Sequence, residues 1–346
     1  MNTVSILGAG SFGTALAKTV APQVERVFIY ARDREICDAI NEEHQNPRYF
    51  PSLKLDHNIK AATFDDSLPV AESDLIIFTV PSGVTREVVH DMRVSIGEKV
   101  ILSTAKGIEQ DTLMTMSQII KEESGGRYVY SISGPTFADE LIRGYLSSAT
   151  LGVDNEKFQD IFSDLFGSRY FALDFSNDIH GVELAGVLKN IYAIALGIFD
   201  SVDSSHNGHY TFLSLCYKEM TRLLKNLTSD PDLTGKFCAF GDYNLTANVD
   251  KSRNRTLGLM IGKNFLNSAN VNSGIVFEGL KSIKCILKLV RQNNLDVPIV
   301  EFVNNVLEDN SRVLSLVDDL LRQFGTERRL FQDISVSYTH LRAHET

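Results

Sequence analysis

The sequence has few cysteines and no excess of positive charge. Four cysteines occur in 346 residues, without the paired spacing of a zinc site or a disulfide framework, so we expect free thiols and no bound metal. The formal net charge of −10 leaves no basic face of the kind that nucleic acid or an anionic membrane surface requires, which excludes both partners. The cysteines are Cys37, Cys216, Cys238 and Cys285.

The sequence also shows no long apolar run and no recognisable leader segment. We find no apolar run of membrane-spanning length, and no charged or apolar signal segment ahead of the first predicted strand. We therefore expect a cytoplasmic protein without membrane insertion. A hydrophobic fraction of 43% is ordinary for a globular chain, and the length allows two domains with large cores.

The N-terminal segment combines a strand, a glycine-rich turn and a helix start. Gly8 permits the tight turn, Gly10 lets the backbone approach a phosphate, and Gly13 lets the helix lie close to the strand. The free N–H groups and positive dipole end of the new helix attract a pyrophosphate without a basic side chain. The segment therefore predicts a dinucleotide site, with a plain tight turn as the alternative.

The end of the second predicted strand bears on the choice of nucleotide. An NAD-specific site usually has an acidic residue there, but this chain has Ala31-Arg32-Asp33-Arg34 after Val27–Tyr30. Arg32 is suited to stacking on the adenine or pairing with a 2′-phosphate, and Asp33 to capping the following helix. We therefore expect NADP to be accepted as well as NAD, unless these arginines are merely solvated charges.

The order of elements predicts an α/β fold with two domains. Apolar strands alternate with helical stretches up to about residue 175, which is typical of a parallel sheet covered on both faces, and long helical patterns follow from residue 178. We expect a Rossmann-type domain over 1–177 and a helical substrate domain over 178–335. The predicted strands after the first are 27–30, 75–80, 100–103, 128–131, 148–152 and 170–173, and the clearest helices are 178–202 and 212–227.

Two lysines lie where chemistry is expected. Lys106 follows the strand 100–103, at a carboxyl end where a cation faces a substrate, and Gly107 frees the backbone beside it. Lys189 interrupts a helix that is apolar around nearly its whole circumference. Burial there would lower its pKa toward values useful for proton transfer, although a snorkelling lysine at a domain edge fits the same pattern.

Three further segments carry polar groups. Gly134 and Thr136 lie in a turn that is either a wall of the substrate pocket or an ordinary capped helix start. Asp242 follows a glycine. The cluster Lys251-Ser-Arg-Asn-Arg255 suits a phosphate, but a solvated basic loop would look the same.

Taken in order, these pieces resemble one family, the bacterial NAD(P)-dependent glycerol-3-phosphate dehydrogenases, up to about residue 330. The order of the motifs makes the resemblance specific. The motifs are Gly8-Ala-Gly-Ser-Phe-Gly-Thr-Ala-Leu-Ala17, Asn46-Pro-Arg-Tyr-Phe-Pro51, Lys106-Gly-Ile-Glu109, Ser133-Gly-Pro-Thr-Phe-Ala138, Leu188-Lys-Asn-Ile191, Gly241-Asp242 and Ser252-Arg-Asn-Arg255.

The resemblance implies reversible hydride transfer between NAD or NADP and sn-glycerol 3-phosphate, which supplies glycerophospholipid synthesis. It implies that Lys189 exchanges the proton, Lys106 holds the oxygen and phosphate, and Asp242 orients Lys189. Substrate binding would fall to these three residues with Gly134, Thr136, Ser252, Arg253 and Asn254. Cofactor binding would fall to Gly8, Gly10, Ser11, Phe12, Gly13, Arg32, Tyr49, Lys106, Ala138, Arg253 and Glu278.

Two departures from the family pattern keep other functions open. The family usually has Gly-Leu-Gly-Asp where this chain has Ala239-Phe240-Gly241-Asp242. It also has Asp-Gly followed by Asn-Thr-Lys or Asn-Ala-Arg where this chain has Asp200-Ser201 and later Asn207-Gly-His-Tyr210, so a basic residue near position 209 is lost. The alternatives are a related lysine-dependent dehydrogenase for another small hydroxy or keto compound, and a catalytically weakened nucleotide-binding sensor. The sensor is disfavoured because the proposed functional residues are intact: Lys106, Lys189, Asp242 and Arg253.

Two expectations concern assembly and the chain end. The apolar faces of the predicted helical domain favour a homodimer. Residues 336–346 show neither helical nor strand periodicity and resemble a sequencing adapter translated in one reading frame. We expect this segment to be a non-native tail, in which His340 and His344 have no functional meaning.

Overall fold

A single sheet organises the first half of the chain. The computed structural model describes residues 1–66, 68–96, 99–265 and 278–326. Within them eight strands pair in the order β3-β2-β1-β4-β5-β6-β7-β8, which is the doubly wound arrangement expected from the sequence. The strands are β1 (Thr3–Leu7), β2 (Arg26–Ala31), β3 (Ile59–Thr63), β4 (Leu75–Phe78), β5 (Val100–Ser103), β6 (Tyr128–Ser133), β7 (Ser147–Gly152) and β8 (Phe171–Ser176).

Helices cover the sheet and then form the second half of the chain. Those of the first half are α1 (Ser11–Val20), α2 (Arg34–Glu43), α3 (Leu68–Glu72), α4 (Thr85–Ile96), α5 (Met116–Ser124), α6 (Ala138–Leu141) and α7 (Glu156–Phe166). After β8 come α8 (Ile179–Asp200), α9 (His206–Leu227), α10 (Asp242–Asn248), α11 (Arg253–Gly262), α12 (Glu278–Gln292), α13 (Pro298–Glu308) and α14 (Val313–Thr326).

One strand pair departs from the expected parallel sheet. β6 and β7 are antiparallel, with Ser131 opposite Gly152, whereas the other neighbouring pairs are parallel. The connection between them carries only the short α6, which is too little helix for a crossover that would bring β7 back parallel. Strand β3 is absent from the sequence prediction because Ile59-Lys-Ala-Ala-Thr63 has little β-branched apolar character.

The sheet is buried on both faces because its strands alternate between two cores. Val4 and Ile6 of β1 belong to one apolar cluster, while Leu7 belongs to the cluster on the other face. The same alternation in β4 sends Ile77 to the first cluster and Phe78 to the second. This period of two decides which face of the sheet each side chain covers.

The second core surrounds α8. Every residue from Gly181 to Phe199 is buried, and α9, α10, α11, α12 and α13 pack around the helix. With 22 residues and a mean hydropathy of 1.6, α8 is long and apolar enough to cross a membrane, contrary to the sequence expectation, but its apolar window lies wholly inside the protein. An all-round apolar helix is therefore a core helix here.

Two glycines allow α11 to lie close against α8. A Cβ on Gly197 would be 2.2 Å from the carbonyl oxygen of Arg255, and a Cβ on Gly258 would be 2.2 Å from that of Ile194. The backbones of the two helices therefore touch directly. This close approach fixes the N-terminus of α11 relative to Lys189, which lies two turns earlier on α8.

Candidate active site

The glycine turn between β1 and α1 has the geometry of a phosphate cradle. Gly8 has φ +124°, and a Cβ on Gly13 would lie 2.0 Å from the Gly8 carbonyl oxygen, so both positions require glycine. A Cβ on Gly10 would meet nothing within 4 Å, which leaves open space beside the turn. No side chain caps α1 at its Gly10 N-cap. The first-turn N–H groups, including those of Ser11 and Phe12, therefore fit a dinucleotide pyrophosphate.

Two polar side chains outside the turn hold it in place. Asn46 donates from Nδ2 to the Ala9 carbonyl (3.1 Å) and to Thr14 Oγ1 (2.9 Å). Thr79, just after β4, donates to the carbonyls of Leu7 and Gly8. Neither role was predicted from the sequence, although Asn46 begins one of the motifs that the family resemblance rests on.

The residues at the end of β2 form an exposed rim. Arg32 and Asp33 are exposed, and Asp33 occupies the N-cap position of α2 without accepting a capping hydrogen bond. Its carboxylate instead accepts from Arg48 at 3.0 Å, so the expected cap is wrong. The Arg48 guanidinium also lies 5.9 Å from the ring centre of Tyr49, which is 42% exposed. Arg32 and Tyr49 thus share the rim beyond the glycine turn.

Lys106, Lys189 and Asp242 meet in one buried cluster. Lys106 Nζ donates to Asp242 Oδ2 at 2.7 Å, and Lys189 Nζ donates to Asp242 Oδ1 at 2.8 Å. Lys189 also donates to Thr246 Oγ1 at 2.7 Å. Asp242 is 2% exposed and Lys189 7%, whereas the Lys106 side chain is 22% exposed, so the shared anion and one of its two cations are shielded from bulk water. Thr246 was missed by the sequence prediction.

Burial and charge set the protonation behaviour of this cluster. Burial lowers the pKa of Lys189 to about 8; Asp242 opposes this shift, and the like charge of Lys106 adds to it. Burial favours the neutral carboxyl of Asp242, but the two ammonium groups outweigh that effect and hold its pKa below the ordinary value. Lys189 is therefore an amine that can lose or gain a proton near neutral pH while Asp242 stays charged.

Gly186 allows the cluster to assemble. It lies one turn before Lys189 on α8, and a Cβ there would be 2.8 Å from Ser133 Oγ and 3.3 Å from Lys106 Cγ. The stem of Lys106 therefore crosses α8 where the helix has no side chain, and its ammonium reaches Asp242 at the start of α10. A larger residue at position 186 would push Lys106 away from its partner.

The segment after β6 lies beside this cluster. A Cβ on Gly134 would be 2.3 Å from the Ser148 carbonyl oxygen, so the position tolerates only glycine. Gly241, next to Asp242, approaches Pro135 at 3.3 Å from its would-be Cβ. Thr136 donates to the Gly134 carbonyl at 3.2 Å and caps no helix, because α6 begins only at Ala138 with Phe137 as its N-cap. The interpretation of this turn as an ordinary capped helix start is therefore wrong.

The predicted phosphate residues lie at the N-terminus of α11. Ser252 is the N-cap, and its Oγ accepts from the Arg255 N–H at 3.3 Å, whereas Arg253 is exposed. Asn254 donates from Nδ2 to Asn190 Oδ1 at 2.8 Å, which links this helix start to the residue after Lys189. A helix N-terminus with an arginine and an amide is suited to a phosphate.

The comparisons with known proteins agree with this geometry. A family model described as the NAD-dependent glycerol-3-phosphate dehydrogenase N-terminus matches residues 3–159, and the corresponding C-terminus model matches residues 178–318. The chain belongs to this family. The N-terminal match contains the glycine turn and Lys106, and the C-terminal match contains Lys189, Asp242 and Arg253.

Relatives of known name support the same assignment. Glycerol-3-phosphate dehydrogenase [NAD(P)+] of Methanothermobacter thermautotrophicus is 42% identical over 310 residues, covering 90% of this chain and 94% of the relative. The Bacillus licheniformis protein of the same name is 34% identical, covering 94% and 96%. The crystal structure of glycerol-3-phosphate dehydrogenase from Coxiella burnetii superimposes with a TM-score of 0.83 at 27% identity, covering 92% of this chain and 98% of that one.

His209 lies near the position at which the family resemblance led us to expect a basic residue. Its Nδ1 pairs with Asp200 Oδ1 (2.9 Å) and its Nε2 with Asn248 Oδ1 (2.9 Å). Arg255 donates to the other oxygen of Asp200 at 2.9 Å. His209 thus belongs to a network that ties α8, α9, α10 and α11 together, and both of its ring nitrogens are engaged within it.

Two sequence predictions fall partly or wholly outside the described residues. Glu278 begins α12, but its side chain lies outside them, as does the tail 336–346. The neighbouring Gly279 is described. A Cβ on Gly279 would lie 3.1 Å from Asn254 Oδ1 and 3.4 Å from the Asn190 carbonyl oxygen, so the start of α12 approaches the same end of the site.

Proposed function

We propose that this chain oxidises sn-glycerol 3-phosphate to dihydroxyacetone phosphate, and catalyses the reverse reduction, with NAD or NADP. The named relatives and the family models support this reaction. The observation that carries the proposal is the buried cluster of Lys106, Lys189 and Asp242 beside the carboxyl edge of the sheet. That edge is where ligands bind in open α/β folds.

Lys189 is the proposed proton acceptor in the oxidative direction. A neutral amine keeps two N–H donors and one lone pair, and Asp242 and Thr246 supply two acceptors for those donors. The lone pair is then directed at the substrate hydroxyl. Because burial lowers the pKa of Lys189 to about 8, the neutral amine is well populated under mildly alkaline conditions.

Lys106 and Asp242 complete the proposed proton-transfer machinery. The Lys106 ammonium stabilises the negative charge that develops on the secondary oxygen as its proton passes to Lys189 Nζ. Asp242 holds both lysines through its two oxygens, so one carboxylate sets the distance between the base and the cation. In the reductive direction protonated Lys189 returns the proton to the same oxygen.

The glycine turn is the proposed cofactor site. Bound NAD(P)⁺ would supply hydride acceptance at the nicotinamide. We assign the pyrophosphate to the first turn of α1, because the open space at Gly10 and the uncapped helix start support contact with an anion. The other proposed cofactor residues are Gly8, Ser11, Phe12, Gly13, Arg32, Tyr49, Lys106, Ala138, Arg253 and Glu278.

The N-terminus of α11 is the proposed phosphate site of the substrate. Ser252, Arg253 and Asn254 would bind the phosphate, while Gly134 and Thr136 form the facing wall. Asn254 supports this assignment because its bond to Asn190 ties the helix start to the residue after Lys189. The phosphate would then anchor the substrate with its secondary carbon within reach of the amine.

We further propose the domain division, the assembly and the cellular role. Residues 1–177 would bind the dinucleotide and residues 178–335 the substrate, because the sheet ends at Ser176 and α8 begins at Ile179. A cytoplasmic homodimer that supplies glycerophospholipid synthesis fits the reaction and the acidic net charge. Size-exclusion chromatography with light scattering tests the dimer.

The reaction itself is tested by initial-rate oxidation of NADH with dihydroxyacetone phosphate, repeated with NADPH. Turnover with this substrate, and none with small keto acids, supports the proposal. Binding of NADH seen by fluorescence without turnover would contradict it, and would favour another keto substrate or a sensor.

A further inference from the structure

Glu109 ends the segment Lys106-Gly-Ile-Glu109, of which the proposed reaction uses only the lysine. Both oxygens of its carboxylate accept from one edge of the Arg86 guanidinium: Nε donates to Oε1 at 2.8 Å and Nη2 donates to Oε2 at 2.7 Å. Thr112 also donates to Oε2, at 2.6 Å. A two-bond fork of this kind fixes orientation as well as distance.

Arg86 is surrounded by carboxylates from two neighbouring elements. It lies in the first turn of α4, and its Nη1 donates to Glu122 at 2.8 Å and to Glu123, both on α5. The side chains of Arg86 and Glu109 are 33% and 24% exposed, so the fork is partly shielded from water. The hydrogen bonds from Arg86, opposed by burial, hold the pKa of Glu109 below its ordinary value. The pair is therefore charged at neutral pH.

The loop that carries Lys106 is attached to the dinucleotide-binding half at several points, among them a hydrogen bond from the Glu109 N–H to the Met114 carbonyl at 2.9 Å. At its start, Thr104 donates from both N and Oγ1 to the Phe78 carbonyl. At its end, Glu109 accepts two hydrogen bonds from Arg86. Between them Gly107 packs so closely on Ser82 that a Cβ there would lie 2.3 Å from Ser82 Cβ. From this loop the Lys106 side chain crosses Gly186 to reach Asp242 in the helical half.

We propose that Arg86 and Glu109 are positioning residues, whose fork fixes the loop so that the Lys106 ammonium is held against Asp242 and the reacting oxygen. The proposal rests on the function proposed for Lys106. When the fork is broken, Lys106 withdraws and the cluster loses one of its two cations. A misplacement of about 1 Å in a reacting constellation costs about 100-fold in rate.

The kinetic test compares Arg86→Ala and Glu109→Gln with Arg26→Ala. Arg26 pairs with Glu72 at 3.7 Å at the amino end of β2, on the opposite edge of the sheet, and serves as the matched control. We expect kcat to fall by about 10- to 100-fold in both fork variants. The pH midpoint of the oxidation rate should move upward, as in Lys106→Ala, because the repulsion that lowers the pKa of Lys189 is lost. The control should keep the wild-type rate.

Chemical rescue distinguishes positioning from a loss of stability. Millimolar guanidinium chloride should restore part of the activity of Arg86→Ala, whereas sodium chloride at the same ionic strength should not. A lower melting temperature with kcat and the pH profile unchanged would overturn the proposal. So would equal recovery in both salts, because the fork would then act only through general screening.

A second measurement does not depend on turnover. The rate at which an amine-reactive ester acylates Lys106, followed by peptide mass spectrometry, reports how firmly its ammonium is held. We expect several-fold faster labelling of Lys106 in both fork variants, and the wild-type rate in Arg26→Ala. Wild-type labelling in the fork variants contradicts the positioning role, whether or not the enzyme turns over. Failure of the wild-type protein to turn over contradicts the proposed function alone.

Discussion

The two halves of the site bind charge by opposite means. The turn after β1 presents backbone N–H groups at Gly10 and an uncapped helix start, with no ionised side chain of its own. The cluster at the start of α10 instead concentrates three ionised side chains, of which Lys189 and Asp242 are buried and Lys106 is partly exposed. The first is suited to holding a permanent anion, and the second to moving a proton.

This difference has an energetic reason. Backbone dipoles are already oriented by the helix, so they stabilise a phosphate without the removal of any charged side chain from water. A buried lysine, in contrast, loses hydration, and only a close counter-ion keeps it protonated part of the time. The loss of hydration destabilises the folded protein, but it also lowers the pKa of Lys189 to about 8, a value suited to proton transfer near neutral pH.

The largest effect should come from removing the proposed proton acceptor from the cluster of Lys106, Lys189 and Asp242. We expect Lys189→Ala to lower kcat by about 10²- to 10⁴-fold, the usual contribution of a general acid–base group, without loss of cofactor binding. Lys225→Ala, which removes an exposed lysine from the last turn of α9, is the matched control. Steady-state rates and NADH fluorescence titration measure both quantities. A parallel loss of NADH binding in Lys189→Ala would contradict our assignment of cofactor binding to the glycine turn and proton transfer to the lysine cluster.

A single added methyl group should disrupt the glycine turn between β1 and α1. Gly13→Ala places a Cβ 2.0 Å from the Gly8 carbonyl oxygen, so the turn must open, and NADH affinity should fall by about 100-fold with a lower melting temperature. Gly10→Ala has open space for its Cβ and should keep the wild-type melting temperature while weakening NADH binding. Fluorescence titration and thermal melts on the two variants provide the check. Equal melting temperatures for both would show that the close contact at Gly13 is unimportant.

A smaller effect should distinguish Asp242 from Glu183, a buried carboxylate to which no lysine of the described residues donates a hydrogen bond. Glu183 on α8 accepts from the Ser117 N–H (2.8 Å) and hydroxyl (2.5 Å), and burial raises its pKa from 4.5 to about 7. Because the folded-state pKa is raised, the stability that the protonated group contributes is present below about pH 4.5 and is lost as the pH rises through about 7. Glu183→Gln should reduce this decline in melting temperature by about 2 to 4 °C.

The control for that experiment is the exposed Glu301→Gln on α13, which should leave the pH dependence of the melting temperature unchanged. A wild-type pH dependence in Glu183→Gln would mean that the Ser117 contacts already stabilise the charged carboxylate.

The glycine turn was predictable from sequence because the residues that form it are close together in the chain. The strand, the three glycines and the helix start all lie between Thr3 and Val20. The lysines were predictable as residue types in unusual places, but their shared partner was not derivable by pattern alone: Asp242 lies 53 residues from Lys189 and 136 from Lys106. The pairing of the two lysines on one carboxylate depends on packing between distant helices.

Other contacts were missed or mistaken for the same reason. Thr246 is an unremarkable residue of α10 until the fold brings it against Lys189. Asp33 has the residue type and position of a helix cap, yet Arg48 competes for its carboxylate. The antiparallel β7 follows a short connection whose length, rather than its composition, decides the direction of the strand.

The pH dependence of kcat/KM for glycerol 3-phosphate oxidation by the wild-type protein tests the central claim most directly, because this parameter reports the free enzyme's essential groups. The rate should rise with pH through a midpoint near 8 and level off above it, because Lys189 accepts the proton only as the neutral amine. Reduction of dihydroxyacetone phosphate should decline over the same range. A flat oxidation profile through about pH 8, or one that falls with increasing pH, would contradict the assignment of Lys189 as the proton acceptor.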